Sequence, residues 1–495
     1  MFSFLHTCLY SACAALLIVG GILCAPSAQA FILGNPDFDP WLSTASGMRS
    51  GNGQPVTLTW SIVGDGTSTP NENGANRVGS TLITFLDAAF GGTPSPHQAG
   101  DLTARPWFDL LQQSFDRWEE LGGVDYEYEP NDDNSSLAVA SGLLGTRGDI
   151  RIGGRNVDDV SGTLAFNYFP NIGDMVLDTS EESFFGNPAN NFRRFRNTLA
   201  HELGHGLNLE HVVSFTDALL LEPSIGTAFD GPQLDEVRAV HFFYGDVYEK
   251  SNNNLGNNIA ARATDLGTIV AGNTASIGTS ANVPTQLISS SATDFVSISN
   301  LNDSDYFSFT VAESSFLDAL LTPLGGVFSQ AEPGFTPALF DANARSDLAL
   351  SIFDTDGVTP LLTLDETGVG ASESRSSIYL ADPGQYYARV TGAADTIQLY
   401  QLDLVVDTAG FLEADFNEDT RVDGEDLSIL SAALGVSSSG DTDDDDDTDG
   451  ADFLMWQQQF SGGLLGNSAI QVVPEPASAA LLLIGWALCG CRIRS

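Results

Sequence analysis

The sequence predicts a multidomain chain: an α/β (α+β) domain, then an all-β sandwich, then a small helical module, with an apolar segment at each end. Three observations carry this. The 495 residues exceed what one compact core holds. Helical and strand periodicities mix through residues 31–250 and then give way to short β-runs between Gly, Asn and Asp turns. Beyond residue 411 an acidic pattern repeats itself in register.

Composition narrows the function. Apolar residues make up 42%, enough for packed cores, and 50 glycines favour turns and β-structure over long helices. The formal charge is -46, and Lys250 is the sole lysine. That balance excludes nucleic acid and anionic membrane as partners and suits a solvated, cation-binding protein outside the cell. All five cysteines, Cys8, Cys13, Cys24, Cys489 and Cys491, lie in the terminal apolar segments. The body therefore has no disulfide, no cysteine nucleophile and no thiolate metal ligand.

Residues 1–30 read as a secretory signal peptide, with an apolar run from 8 to 24 and Ala28-Gln29-Ala30 before the cut. The alternative is an N-terminal membrane anchor, for which the run is short. At the other end, 472–495, Val473-Pro474-Glu475-Pro476 leads into an apolar stretch and then Arg492-Ile493-Arg494. This resembles a PEP-CTERM sorting signal. The resemblance implies export through the inner membrane of a Gram-negative-type bacterium and processing by an exosortase-type enzyme. A plain tail anchor is the alternative.

Within 31–250, Val56 to Val63 alternates and reads as a strand. Pro106 opens a helix whose Phe108, Leu111, Phe115 and Trp118 share a face, and Gly122-Gly123 ends it. Asp149 to Ile152, Thr163 to Phe166 and Met175 to Leu177 read as short strands, and Phe192 to Leu207 as a second helix.

That second helix carries His201-Glu202-Leu203-Gly204-His205, followed by His211. Histidines four apart on a helix direct both imidazoles to one point. Zinc takes such nitrogens tetrahedrally and keeps one position open in catalytic sites. His211 completes the set only if the chain leaves the helix near residue 208 and turns back. Three of the six histidines fall in this stretch. The competing reading is an exposed helix with scattered histidines. His97 and His241, the other body histidines, read as structural.

The stretch resembles the metzincin signature H-E-x-x-H-x-x-G-x-x-H. Leu234 to Gly245 and Gly173 to Asp178 are similar to the C-terminal helix and cleft strand of matrixins within that group. The resemblance implies Zn2+ on His201, His205 and His211, with Glu202 as general base. Asn208 stands where the family has Gly, and Asn is the next most tolerant of a left-handed turn. Leu221, ahead of Pro223, stands for the methionine beneath the metal, a nearly volume-conserving exchange. Phe166 and Val176 occupy the places of the family's structural-zinc histidines, and a cysteine-switch propeptide is excluded. Asp178 and Glu181 match a family Ca2+ site, or form an ordinary acidic surface. The specificity wall would fall in 212–233.

Residues 251–408 read as an all-β sandwich. Asp303 to Val311 and Gly384 to Val390 resemble the pre-peptidase C-terminal domain that accompanies secreted peptidases; an unrelated sandwich is the alternative. In 411–462, Asp415, Asn417, Asp419, Asp423 and Asp426 recur as Asp441, Asp443, Asp445, Asp449 and Asp452. Oxygens at positions 1, 3, 5, 9 and 12 converge on one hard cation in a Ca2+ loop, and position 7, here Arg421 and Asp447, coordinates through its carbonyl. Leu427 and Leu430, then Phe453 and Trp456, follow the loops. The pair resembles a dockerin, an EF-hand-like helical module, which implies a cohesin-like or matrix partner. Thr420 and Asp446 stand where the loop's turn usually has Gly. An acidic linker is the alternative for 441–449.

The expected function is a secreted zinc-dependent endopeptidase that cuts protein or peptide substrates, itself or a matrix partner included. The alternative is a catalytically decayed extracellular surface or matrix protein with calcium-dependent binding modules.

Overall fold

The computed structural model describes residues 40–48, 51–92, 100–408, 413–417, 422–442 and 445–460. The signal and sorting segments, all five cysteines, His97, Asp419, Thr420, Arg421 and Asp443 lie outside them. The chain divides into two compact units at Asp407/Thr408.

The first unit opens on a five-stranded sheet: β1 (Val56–Ile62), β2 (Val124–Tyr128), β3 (Ile150–Arg155), β4 (Ala165–Asn167) and β5 (Met175–Asp178), in the order β2-β1-β3-β5-β4. The β1–β2, β1–β3 and β3–β5 pairs are parallel; β4 runs antiparallel to β5 and is the sheet's edge. The parallel strands are buried along nearly their whole length, as a sheet covered on both faces requires. Four helices of nine or more residues accompany it, α1 (Leu82–Phe90), α2 (Phe108–Glu119), α3 (Arg193–Gly206) and α4 (Leu234–Tyr244), with a short turn of helix at Glu182–Phe185. Trp60 of β1 stacks on Phe108 and Phe115 of α2, with ring centroids 5.4 and 4.3 Å apart. Trp118 Nε1 of α2 donates to the Ala200 carbonyl of α3 at 3.0 Å.

The strands read from periodicity in 31–250 sit within two or three residues of their expected places, as do the α2 and α3 helices. The sequence reading assigns no element to 82–90 or 124–128. Leu82, Ile83, Phe85 and Leu86 are all buried, and so short an apolar run, broken only by Thr84, fits a strand and a helix alike. Gly91, at φ 81°, closes α1. Phe166 and Val176 pair across β4 and β5 and pack with Val63 and Leu137. Apolar packing thus fills the place of the structural-zinc histidines.

The sandwich follows, with β6 (Thr264–Thr268), β7 (Asn273–Ile277), β8 (Val296–Ile298), β9 (Ser304–Val311), β10 (Ser315–Leu324), β11 (Val327–Gln330), β12 (Ala338–Asp341), β13 (Leu348–Phe353), β14 (Pro360–Leu364), β15 (Glu373–Leu380), β16 (Gly384–Gly392) and β17 (Gln398–Thr408). One sheet runs β6-β9-β16-β13-β14; the other runs β7-β17-β10-β15, with β8 also on β17; β11 and β12 form a separate hairpin. Every second residue of β10 is buried, the signature of a strand with one face on the core. Phe307, Leu317, Leu350 and Leu402 lie in the core between the sheets.

The sandwich packs on the peptidase-like region. Leu121, Leu234 and Val237 share a buried cluster with Ile288, Phe295 and Leu399. His241 is fully buried, as a structural histidine: Nε2 meets the Leu121 carbonyl at 2.7 Å and Nδ1 the Ser297 hydroxyl at 2.9 Å.

In the second unit, α5 (Gly424–Ala433) and α6 (Gly450–Gln459) each begin with a reciprocal capping box, Asp423 with Asp426 and Asp449 with Asp452. Trp456 packs with Ala414, Val422 and Leu430, and its Nε1 donates to the Asp423 carbonyl at 3.1 Å. Among the described residues no helix is long and apolar enough to cross a membrane.

Candidate metal centre

Helix α3 enters the centre because its inner face, Phe195, Leu199, Ala200 and Leu203, is fixed in the core. His201 and His205 follow on that buried helix. The helix must stop just after His205 for His211 to return. Asn208 takes the left-handed conformation, φ 76°, and Leu209 N–H closes back on the Gly204 carbonyl at 3.0 Å. The last turn is sealed from outside: Trp41 Nε1 donates to the Gly206 carbonyl at 2.7 Å and Tyr244 Oη to the Leu207 carbonyl at 3.3 Å. Leu221 lies beneath the helix, and a side chain at position 204 would run into it 2.9 Å away. Gly204 is therefore the residue that lets the Leu221 floor come close.

The chain turn predicts its own mutational signature. Asn208→Gly leaves metal affinity intact, because Gly adopts the left-handed region freely. Asn208→Val, β-branched at positive φ, costs about 1–2 kcal/mol or more and swings His211 away. Chelator competition for zinc on the two variants checks this.

The three histidines meet through Nε2. The separations are 3.1 Å for His201–His211, 3.1 Å for His201–His205 and 3.2 Å for His205–His211. These are not hydrogen bonds. His201 Nδ1 lies 2.7 Å from the Leu220 carbonyl and His205 Nδ1 2.7 Å from the Leu209 carbonyl. A carbonyl can only accept, so both Nδ1 atoms carry the proton and the two Nε2 lone pairs point inward. Burial pushes His201 well below the ordinary histidine range and His205 to about 4, with the neighbouring imidazoles adding to the shift; burial lowers His211 too. All three are neutral donors at neutral pH. Tetrahedral zinc with bonds of about 2.0–2.1 Å holds its nitrogens about 3.3–3.4 Å apart, so the donor set fits that ion. Nearby lone pairs repel unless a cation lies between them.

Glu202 is buried in the wall of the same cleft, and its Oε2 has no hydrogen-bond partner among the described residues. Burial, with Glu72 adding, raises its carboxyl to about 8. The cleft has a volume of about 900 Å³ and runs between β4 and Pro223–Ile225. A buried carboxylate oxygen left without a donor marks a place for water or a ligand.

The other expected ligands are placed as follows. Asp178 and Glu181 share a turn. Asp178 Oδ1 accepts from Ser180 N–H at 2.8 Å, and Glu181 Oε1 accepts from Ser161 N–H. No third histidine or carboxylate joins them in a tight group among the described residues. In the helical unit, Asp447, Asp449 and Asp452 bring carboxylate oxygens within 4.8 Å of one another. The Asp445 charge raises the Asp447 carboxyl. Asp446 sits at φ 71°, taking the turn position without glycine. Asp441 accepts from the Asp445 and Asp446 amides at 3.3 and 2.8 Å. In the first repeat, Asp426 accepts from Phe416, Asn417 and Asp423 N–H, the last at 2.8 Å; Asp415 also lies among the described residues.

One cluster went unseen in the sequence. Glu249, Asp303 and Asp305 are buried with carboxylate oxygens within 4.8 Å of one another. Asp303 Oδ1, Asp305 Oδ1 and the nearby Asn257 Oδ1 are buried without partners among the described residues. Burial raises Asp246 to about 7 and Glu249 to about 8, with Asp303 adding to both. The oxygens suit a hard divalent cation. Asp303 and Asp305 are near neighbours in the chain, but Glu249 is too distant for spacing to reveal the group.

No curated protein matches the chain. Among solved structures, the pre-peptidase C-terminal domain of a Bacillus anthracis collagenase aligns at 14% identity and TM-score 0.17, over 29% of this chain and 94% of that one. A β-glucosidase from Paenibacillus barengoltzii aligns at 11% identity and TM-score 0.15, over 30% of this chain and 11% of that one. Residues 97–245, the segment that carries the histidine triad and Glu202, match the family model Matrixin (Peptidase_M10), a family of zinc metallopeptidases.

Proposed function

We propose that the protein is a secreted zinc endopeptidase in which His201, His205 and His211 hold the metal and Glu202 is the general base. The observation that carries this is the convergence of three neutral Nε2 atoms, 3.1–3.2 Å apart, in the cleft wall that also holds the unpartnered Glu202 carboxylate. Bound there, zinc would supply a Lewis acid that polarises the scissile carbonyl and acidifies water. The positive charge of bound zinc would offset the burial that raises Glu202 to about 8 and hold it ionised, so that Glu202 can take the proton of the attacking water at its free oxygen and pass it to the leaving amine. The edge strand β4 offers unpaired backbone to an extended peptide, so the substrate is held as an added strand. The burial of His201, Glu202 and His205 lowers the local dielectric and strengthens these interactions.

Asn208 and Leu221 were the sequence grounds for a decayed site. Both sit without disruption, one in the left-handed turn and the other under Gly204. The helical unit is proposed to bind Ca2+ through its acidic loops, and both terminal segments to serve export and anchoring.

The test is zinc content and casein cleavage by the chain freed of both terminal apolar segments, in calcium, beside Glu202→Ala. One equivalent of zinc in both proteins, with cleavage only in the parent, is expected. A parent that takes up no zinc would sink the proposal.

A further inference from the structure

The loop that follows His211 is not held by the peptidase-like region alone. Val213 and Ala331 exchange backbone hydrogen bonds, N–H to carbonyl at 2.8 Å in both directions, as an antiparallel bridge. Two residues on, Phe215 N–H donates to the Ser329 hydroxyl at 3.1 Å. Ser329 lies in β11 of the sandwich, and Ala331 immediately follows that strand. On the loop's other side, Val212 N–H donates to the Leu221 carbonyl at 3.0 Å and Ser214 N–H to Glu222 Oε1 at 2.9 Å. The segment after His211 is thus held on both sides, by the floor residues on one and the sandwich hairpin on the other.

The hairpin is itself anchored. Phe328, Phe340 and Ala342 form its small buried core. The Arg238 guanidinium, from α4, lies 4.8 Å over the Phe340 ring, and that of Arg345 4.6 Å over it. Such stacking fixes a ring against a planar cation. The hairpin therefore has its own purchase on the peptidase-like region, independent of the bridge at Val213.

We propose that the β11–β12 hairpin is a positioning element of the metal centre, acting through Val213 and Phe215 on His211. The inference rests on the reading of the three histidines as metal ligands. His201 and His205 ride on α3, where helix geometry sets their spacing. His211 has no such support. Its direction follows from the path of an irregular chain, and that path is pinned two residues later by the sandwich. A loop ordered before the metal arrives loses less freedom on binding, so the affinity is higher. The sandwich is on this account part of the metal centre rather than a separate module.

The experiment compares zinc affinity, by competition with a chromogenic chelator, in the full chain and its variants. Ala331→Pro removes the N–H that serves the Val213 carbonyl. It is expected to raise the zinc Kd about tenfold or more, the usual effect of losing a group that orients a ligand. Ser329→Ala raises it less, and Ser329→Thr, which keeps the hydroxyl, restores it. In a His211→Ala background the same changes leave the Kd where His211→Ala alone put it, because the hairpin acts only through that ligand. A zinc Kd unchanged in both Ala331→Pro and Ser329→Ala overturns the inference. So does an equal weakening in the His211→Ala background, which would mean general damage. Should Ala331→Pro fail to fold, the Ser329 pair decides alone. A parent chain without zinc overturns the metal reading itself; zinc in the parent with indifferent variants overturns only the role of the hairpin.

Discussion

Glu202→Gln is expected to lower kcat by about two to four orders of magnitude with zinc still bound, the range that a positioned general base supplies. Gln keeps the size and burial of Glu202 but cannot take a proton. The three imidazoles that would hold the metal are untouched, so metal content separates loss of the base from loss of the site. A second readout moves the other way. The folded-state pKa of Glu202, about 8, lies above its ordinary 4.5 because the group is buried. The native state of the metal-free chain then holds that proton more tightly than the unfolded chain does. Its ionisation costs stability increasingly from pH 4.5 up to about pH 8, and Gln removes the cost. Metal-free Glu202→Gln should therefore melt above the metal-free parent at pH 8 and alongside it at pH 4. A fall in kcat of less than tenfold with full zinc would move the base to another residue.

Asp132→Ala is the largest expected loss of stability, about 3–5 kcal/mol. Arg151 donates through Nε to Asp132 Oδ2 at 2.8 Å and through Nη2 to Oδ1 at 2.6 Å. Both side chains are fully buried, at 0% exposure. Arg151 Nη2 also reaches the Ser135 carbonyl at 2.9 Å, so the pair ties the chain after β2 onto β3. Removing the carboxylate leaves the buried guanidinium without its two-pronged partner and with only the more distant Asp133 and Asp174 charges, so the penalty is its desolvation rather than the mere loss of a bond. The contrasting pair is Arg375–Glu366, 2.7 Å apart but 43% and 65% exposed. Glu366→Ala there should cost no more than about 1 kcal/mol. Calorimetry of the two variants, each against the parent, measures both. Comparable losses from the two would mean that Arg151 finds another partner or water.

Much of the centre was legible because the relevant information is local. His201 and His205 share a helix face at a spacing of four, and Glu202 lies between them on the same turn. The turn at Asn208 is a property of one residue's backbone, and Asn is one of the few that adopts φ 76° at modest cost. Where local signals were ambiguous the reading failed: the run at 82–90 is apolar at nearly every turn-facing position, and only the sheet beneath it makes it a helix.

Other features have no local trace. Glu249, Asp303 and Asp305 converge because β9 brings two of them against the short turn that bears the third, a result of strand placement rather than spacing. Nothing in Phe166 or Val176 alone says that they would pair with Val63 and Leu137 in an apolar cluster. The bridge between Val213 and Ala331 joins residues more than a hundred positions apart, and periodicity carries no information on that scale. Spacing and residue type were sufficient to single out the three histidines and Glu202 that the fold gathers in one cleft, and the left-handed turn at Asn208. The partner of the loop behind His211, and the burial that leaves Glu202 unpaired, arise from packing between distant segments. Side-chain pattern dictates which face of an element is buried, but which element covers that face is settled only when the whole chain has closed.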